Sequence, residues 1–375
     1  MKRQTCFLCT FAAVLLSVQA AFWLGPKAER SALEKRVLAE PPKLTPGRVA
    51  DGRWMEQAEN YLSDHFPARD ALVGINAYLR QGAGLNAAGE IYRGQDGWLL
   101  AAPLNADTQI LERNLDAIAA FTQRCGLPAS LLAVPSAGAV EMDQLPVLHD
   151  TYPDAALLEY ITERLDGILQ IPDLLTAFTQ AENRTALYYR TDHHWTSAGA
   201  YMGYRAYCAA MGEEAVDQRA FIVTQSPGFY GTSYAKSGLW ATPPDTLTLW
   251  EDETLETQVT IWDDNKPAPT QQQGLFFRTH LEEPDQYPVF LDGNHGRVRI
   301  TTNRPGGRLL IVRDSFAHCL APFLAEQYSQ IDLLDLRYFK KQSVSEYLAE
   351  YPADAVLFCY GLDSLTTDKN IAQLQ

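Results

Sequence analysis

The chain opens with an apolar run from Cys6 to Leu24, broken only by Thr10, Ser17 and Gln19 and preceded by Lys2 and Arg3. A basic start followed by such a run has the form of an export signal, and Val18-Gln19-Ala20 supplies a small-residue cleavage site. A run of about 20 apolar residues also spans a bilayer, so a signal peptide and an uncleaved anchor both fit residues 1–24. Either reading puts the rest of the chain outside the cytoplasm, and the anchor reading adds membrane contact through the N-terminal segment. Residues 25–52 lose apolar periodicity and carry Pro26, Pro41, Pro42, Pro46 and Gly47, the pattern of a linker.

Helical spacing begins near Trp54, in Ala58, Tyr61, Leu62 and Phe66, and resumes in Leu72, Ile75, Ala77 and Leu79 after Pro67. With "EIYRGQDGWLL", whose Gly97 turn has alternating flanks, residues 53–104 read as a small helical N-terminal subdomain and a hairpin. Beyond residue 105, strand and helix alternate. The expected elements are a helix over 107–124, a strand "SLLAVP", a helix over 155–169 and a short "LYY" strand. They continue with a strand at 308–313, a helix at 316–328, a strand at 331–336, a helix at 343–351 and a strand at 355–361. Apolar strands between amphipathic helices predict a three-layer α/β/α domain over 105–375, with a mainly parallel sheet covered on both faces. Residues 221–290 break this rhythm with Gly, Pro, Thr, Asp and aromatics, and read as an irregular, partly β insertion. Ligands of such sheets sit at the C-terminal strand ends.

Composition narrows the partners. The 375 residues include 31 basic and 46 acidic ones, a net charge of −15. Cleavage after residue 20 would remove Lys2 and Arg3 and no acid, leaving −17. Nucleic acid is repelled by such a surface, and an anionic polysaccharide would need a local basic groove. Cys125, Cys208, Cys319 and Cys359 would remain after cleavage. Two disulfides in three connectivities are open to them, but they lack CxxC or Cys/His ligand spacing, and buried free thiols are the simpler expectation.

Two stretches carry candidate chemistry. In "RLLIVRDSFAHCL" a strand ends at Arg313-Asp314 and Ser315 stands where a helix begins. A serine there projects its hydroxyl at the sheet edge, where first-turn N–H groups and the helix dipole can stabilise an oxyanion. An ordinary N-cap serine fits the same pattern. The second stretch, "YYRTDHHWTSAGA" at 188–200, follows a short expected strand. In extended backbone, residues two apart share a face, so Asp192 and His194 point together and His193 points away. Asp192 then orients one imidazole nitrogen of His194 and leaves the other for Ser315. A metal centre would need further ligands, and His65, His149, His280, His295 and His318 stand in unlike contexts. No metal or cofactor is therefore expected. Trp195 either covers the site, fills the core or stacks on sugar.

These stretches, with "YLSDHFPARD", "IYRGQDGWLL", "FYGTSYAKSG", "FLDGNHGRVRI" and "IDLLDLRYF", occur in an order that resembles the DHHW family of exported proteins. That family is related to the alginate O-acetyltransferase-like branch of SGNH hydrolases, and the similarity covers nearly all of residues 55–365. Related members use an Asp-x-His element and a later serine, which match Asp192, His194 and Ser315. The resemblance implies acyl transfer to, or acyl removal from, cell-surface polysaccharide, with a membrane-bound O-acyltransferase as donor partner. The chain departs from typical SGNH hydrolases in placing its serine last, in its Asp-x-His spacing, and in Arg313 where a Gly-Asp-Ser block has glycine. Asn294, in a Gly-flanked loop, is a candidate oxyanion donor or a turn residue. Arg313 either binds substrate or pairs with Asp314 or an insertion-loop acid, the structural role being favoured. The rival reading is a non-catalytic glycan-binding or assembly protein, with Tyr230, Tyr234, Trp240 and Trp250 as its stacking surface.

Overall fold

The computed structural model describes residues 2–374 apart from 104, 264, 265 and 267. Seven strands form the central sheet: β1 (Ala129–Val134), β2 (Thr257–Trp262), β3 (Thr270–Gln273), β4 (Arg297–Thr302), β5 (Arg308–Arg313), β6 (Gln330–Leu334) and β7 (Ala355–Gly361). Their spatial order is β3-β2-β4-β6-β5-β7-β1. The four strands β6, β5, β7 and β1 are parallel, as expected of apolar strands joined by helical crossovers. The three remaining strands add antiparallel, β4 on β6, β2 on β4 and β3 on β2. The insertion therefore supplies two strands, β2 and β3, to the main sheet. It also folds a separate hairpin from Ile222–Phe229 and Asp245–Glu251.

Side-chain alternation along the strands builds the layers. Leu309 and Ile311 of β5 point into one core with Trp195, Tyr204, Leu320 and Phe323. Leu310 and Val312 point into the other, with Leu115, Phe121, Ile161 and Tyr347. The Thr108–Cys125 helix starts where Asp107 accepts from the N–H groups of Gln109 and Ile110. It stops at Gly126, whose φ of 65° suits glycine.

The N-terminal region differs from its expectation. Lys2–Leu24 is helical, and Arg3–Leu24 is long and apolar enough to cross a bilayer. Residues 25–52, expected as a linker, are strapped to the body instead. Arg30–Ser31 pairs with Arg36–Val37, Arg36 bridges Asp64, and the Ala39 N–H donates to Asp64 at 2.8 Å. Charged side chains that read as linker composition thus find fixed partners on the Arg53–Asp64 and Arg69–Gly82 helices. The hairpin of Ile91–Arg93 and Leu99–Ala101 gains a third strand, Ala87–Ala88.

Candidate active site

Ser315 stands one residue beyond Asp314, which follows the end of β5, and precedes the Phe316–Leu324 helix. Its hydroxyl makes no capping bond. Asp314 takes that role, its Oδ1 accepting from the Phe316 N–H at 2.9 Å and its Oδ2 from the Gly361 N–H at 2.8 Å. Burial pushes the Asp314 carboxyl above its ordinary range in spite of these donors. With the helix start served by Asp314, the Ser315 hydroxyl is left to face His194, whose Nε2 lies 2.7 Å away.

The segment carrying Asp192 and His194 is a tight loop rather than the end of a strand. A single bridge joins Tyr188 to Trp195, and the Thr196 N–H donates to Leu187 O at 2.8 Å. Asp192 Oδ1 accepts from the His194 backbone N–H at 2.9 Å and lies 2.6 Å from His194 Nδ1. The aspartate's own turn, not strand alternation, therefore brings the two side chains together. His193 does not point away, because its ring centroid lies 3.8 Å from that of His194. Its ring, 42% exposed, stands at the cleft with Nδ1 2.6 Å from Thr232 Oγ1.

Asp192 Oδ2 accepts from the Thr232 backbone N–H at 2.6 Å and from its hydroxyl at 3.1 Å. Burial resists the Asp192 charge, yet the flanking imidazoles and these donors outweigh it and hold the carboxyl well below its usual range. Tyr287 stacks on the His194 ring at 4.1 Å between centroids and 10° between planes. Gly231 lies so close that an added Cβ would fall 2.1 Å from Asp192 Cβ.

Asp192, His193 and His194 are the cluster among the described residues with metal-ligand atoms within 4.8 Å of one another. Both Asp192 oxygens and both His194 ring nitrogens already face hydrogen-bond partners, so this donor set is engaged by protein groups. The arrangement fits a hydrogen-bonded relay better than a cation cage.

A cleft of about 250 Å³ opens over Ser315. It is walled by the C-terminal ends of β1, β5 and β7, by Thr232 and Lys236, and by Ile91, Leu99 and Ala101 of the N-terminal hairpin. Arg337 reaches into it while holding Asp335 at 2.6 Å.

The other sequence candidates stand elsewhere. Arg313 is fully buried, 3.5 Å from Asp335 and bonded to His318 and to His295 O, so its partner is neither Asp314 nor an acid of the insertion. Asn294 is exposed, lines a neighbouring cavity and accepts from Arg337 at 3.4 Å. Trp195 is sealed in the core, its Nε1 donating to Phe316 O at 3.1 Å, so it offers no stacking face. Tyr234 is buried against Tyr230 and Trp240. Trp250 packs on Tyr201, Phe221 and Phe323, so these four aromatics serve as packing. Cys208, Cys319 and Cys359 are buried free thiols, and Cys125 is free and half-buried.

Sequence reasoning gave no role to Thr232, Gly231 or Tyr287. Gly231 and Thr232 sit inside "FYGTSYAKSG", so the block that carried the resemblance held a signal for them. Tyr287 had none.

An α/β/α sheet with a serine at a strand end and an Asp-x-His loop facing it defines a class, and comparison with known proteins gives the same one. Residues 91–230 match the family described as SGNH hydrolase-like domain, acetyltransferase AlgX, and residues 166–334 match the DHHW protein family. The chain is thus related to DHHW proteins and to alginate O-acetyltransferase-like SGNH hydrolases, as its sequence blocks implied. It is 25% identical over 191 residues to the probable alginate O-acetylase AlgJ of Pseudomonas putida, a match covering 46% of this chain and 48% of that protein. The chain spans about half the length of this curated relative.

The fold resembles a DHHW family protein from Eubacterium siraeum at TM-score 0.64 and 23% identity, covering 76% of this chain and 93% of that one. Bacillus cereus PatB1 is similar at TM-score 0.64 and 21% identity, covering 76% and 99%. At these identities the likeness is one of fold.

Proposed function

We propose that this protein is an extracytoplasmic, serine-dependent O-acyl transferase or esterase, acetyl being the expected group, acting on cell-surface or exopolysaccharide. The observation that carries this reading is the chain of contacts Asp192–His194–Ser315, 2.6 Å and 2.7 Å long, ending at an uncapped hydroxyl in an open cleft. Kinship with a probable alginate O-acetylase supports the acyl group and the polysaccharide.

In this mechanism Ser315 Oγ attacks the acyl carbonyl carbon while its proton passes to His194 Nε2. Asp192 accepts from Nδ1–H, fixes the tautomer and stabilises the imidazolium. Backbone N–H groups and the positive dipole end of the Phe316–Leu324 helix stabilise the oxyanion. The tetrahedral intermediate collapses, the donor's alkoxide leaves with the proton from His194, and an ester remains on Ser315. His194 then deprotonates a sugar hydroxyl or a water, which attacks that ester and releases Ser315. A sugar gives transfer and water gives hydrolysis, according to how well the acceptor excludes solvent. A membrane-bound O-acyltransferase would supply the acyl group outside the cell, next to the apolar Arg3–Leu24 helix.

The test is intact-protein mass after exposure of the full chain in detergent to a fluorophosphonate and, separately, to an activated acetyl ester. The expected result is one adduct on wild type and none on Ser315→Ala or His194→Ala. Adducts of equal yield on all three forms would sink the proposal.

A further inference from the structure

A second cavity, of about 460 Å³, opens at the same edge of the sheet as the Ser315 cleft. Trp262 at the end of β2, Arg297 at the start of β4, and Tyr338 and Tyr351 are among its lining residues. Arg297 and Trp262 are cross-strand neighbours in the β4–β2 ladder, which explains their stacking. The guanidinium carbon of Arg297 lies 3.9 Å from the Trp262 ring centroid, 4.4 Å from that of Tyr351 and 4.9 Å from that of Tyr347.

Arg297 is half-buried and yet lacks an anion. Two residues along the same face of β4, Arg299 grips Asp332 with two bonds of 2.7 and 3.1 Å. Arg297 has no carboxylate partner and no side-chain hydrogen bond among the described residues, and its Nε is buried with no acceptor. The protein carries a net charge of −15, so spare carboxylates are plentiful on it. Of the two acids lining this cavity, Asp263 is held by Lys266 and His295, and Glu350 makes no ion pair with Arg297. A guanidinium presents planar paired donors that match carboxylate or phosphate oxygens, and aromatic walls around it suit the apolar face of a sugar ring.

The two cavities share a wall. Arg337 lines the Ser315 cleft and donates to Asn294, while Asn294 and Tyr338 line the second cavity. Between β5, which ends two residues before Ser315, and β4, which starts at Arg297, lies only β6. Two strand spacings of about 4.8 Å put Arg297 roughly 10 Å along the edge from the acyl site, within reach of one oligosaccharide.

We propose that this cavity is a subsite for an anionic group, a carboxylate or a phosphate, on the acceptor polysaccharide. Arg297 binds the anion, Trp262 packs on its sugar, and the strand carries a hydroxyl back past Arg337 to Ser315. The inference deepens the proposed function and rests on it for the link to acyl transfer, but the anion site itself does not depend on that link.

The experiment measures binding of three oligosaccharides to the full chain in detergent: a polyuronate, its carboxyl-reduced counterpart and a polyol phosphate. Fluorophosphonate labelling of Ser315 is followed on the same samples. The expected result is that at least one charged oligomer binds and the neutral one binds far more weakly. Arg297→Gln and Trp262→Leu then each lose roughly tenfold or more in affinity, while labelling of Ser315 is unchanged. Arg297→Lys, which keeps the charge and removes the fork, should fall between wild type and Arg297→Gln. Preference for polyuronate over polyol phosphate, or the reverse, identifies the anion. Equal binding of charged and neutral oligomers, or wild-type affinity in a folded Arg297→Gln, overturns the subsite. Unlabelled wild-type Ser315 with Arg297-dependent binding would overturn the acyl-carrier reading and leave the anion site standing.

Discussion

On one side of Ser315 the buried pair Asp192 and His194 leads outward to a hydroxyl in an open cleft; on the other, Arg313, His318 and Asp335 form an equally buried cluster that does not line it. The first side is one carboxylate, one imidazole and one neutral hydroxyl, with each contact oriented toward the next. On the second side burial and the adjacent Arg313 charge hold His318 neutral, its pKa far below the ordinary value. The His318 imidazole, pressed against a guanidinium, is held from taking up a proton. Two histidines on either side of one turn thus meet opposite neighbours, a carboxylate at His194 and a guanidinium at His318.

The sharpest way to break this contrast is to remove the outward side. Ser315→Ala, His194→Ala or Asp192→Asn should each lower acyl transfer by about 10⁴-fold, with melting temperature near that of wild type. The double variant Ser315→Ala/His194→Ala should be no slower than the worse single one, because the residues act as a unit. Steady-state kinetics on an activated ester check both statements.

The inward side should answer in stability instead. Asp335→Ala leaves Arg313 buried without its carboxylate, and Arg337 loses the same partner. Chemical denaturation should show a loss of about 3–5 kcal/mol. A loss below 1 kcal/mol would mean that water or another acid reaches Arg313.

Gly231→Ala tests how tightly Asp192 is held. The added Cβ would collide with Asp192 Cβ and Oδ2, and with its backbone Cα at 2.6 Å. The expected outcome is a drop in kcat of about 100-fold with KM little changed. Thr232→Val removes the hydroxyl, with its 3.1 Å bond to Asp192 and its 2.6 Å contact to His193 Nδ1, and keeps the backbone bond. Its cost should be about 1 kcal/mol, near a fivefold loss of rate.

The smallest effect concerns the loop that carries Asn294. His280 and His295 bracket Asp292 at 2.7 and 3.2 Å, and Leu291 and Asp292 hold φ values of 57° and 61°, a backbone state that non-glycine residues rarely adopt. Burial opposes charging of both histidines, but their carboxylate partners raise both above the ordinary 6.5. Asp292, resisted by burial, is lowered below 3.8 by the same pairs. Histidines raised in the folded state contribute fully below pH 6.5 and lose that contribution as pH rises through their folded values. The lowered carboxylate contributes above pH 3.8 and is lost as pH falls through its folded value. Hydrogen exchange of residues 291–295 should therefore be slowest between about pH 4 and 6.5, once corrected for intrinsic rates, and His295→Gln should flatten that profile.

Much of the fold was legible. Strands β5 and β7 match the sequence pattern residue for residue, because strands buried on both faces are written as unbroken apolar runs. Ser315, His194 and Asp192 were legible because each sits in a dense local motif whose chemistry restricts the arrangement. The reason given for Asp192 and His194 facing together was incomplete, since a turn bond from Asp192 Oδ1 to the His194 N–H does what strand geometry was expected to do. The linker reading of residues 25–52 failed because Arg36 and Asp64 reveal nothing of their pairing until the helices are packed.

By itself the sequence determined the alternation of strands and helices, the apolar N-terminal helix, and the pairing of an Asp-x-His loop with a distant serine. Those features follow from side-chain periodicity and from motifs whose residues are close in the chain. Only the tertiary structure decided that Trp195 and Tyr234 are core and that Arg313 faces Asp335. It also showed that Gly231 and Thr232 clasp Asp192, and that Arg297 lies over three rings without an anion. Each of these depends on which groups meet across the fold, where burial makes a partner decisive and sequence distance carries no information about it.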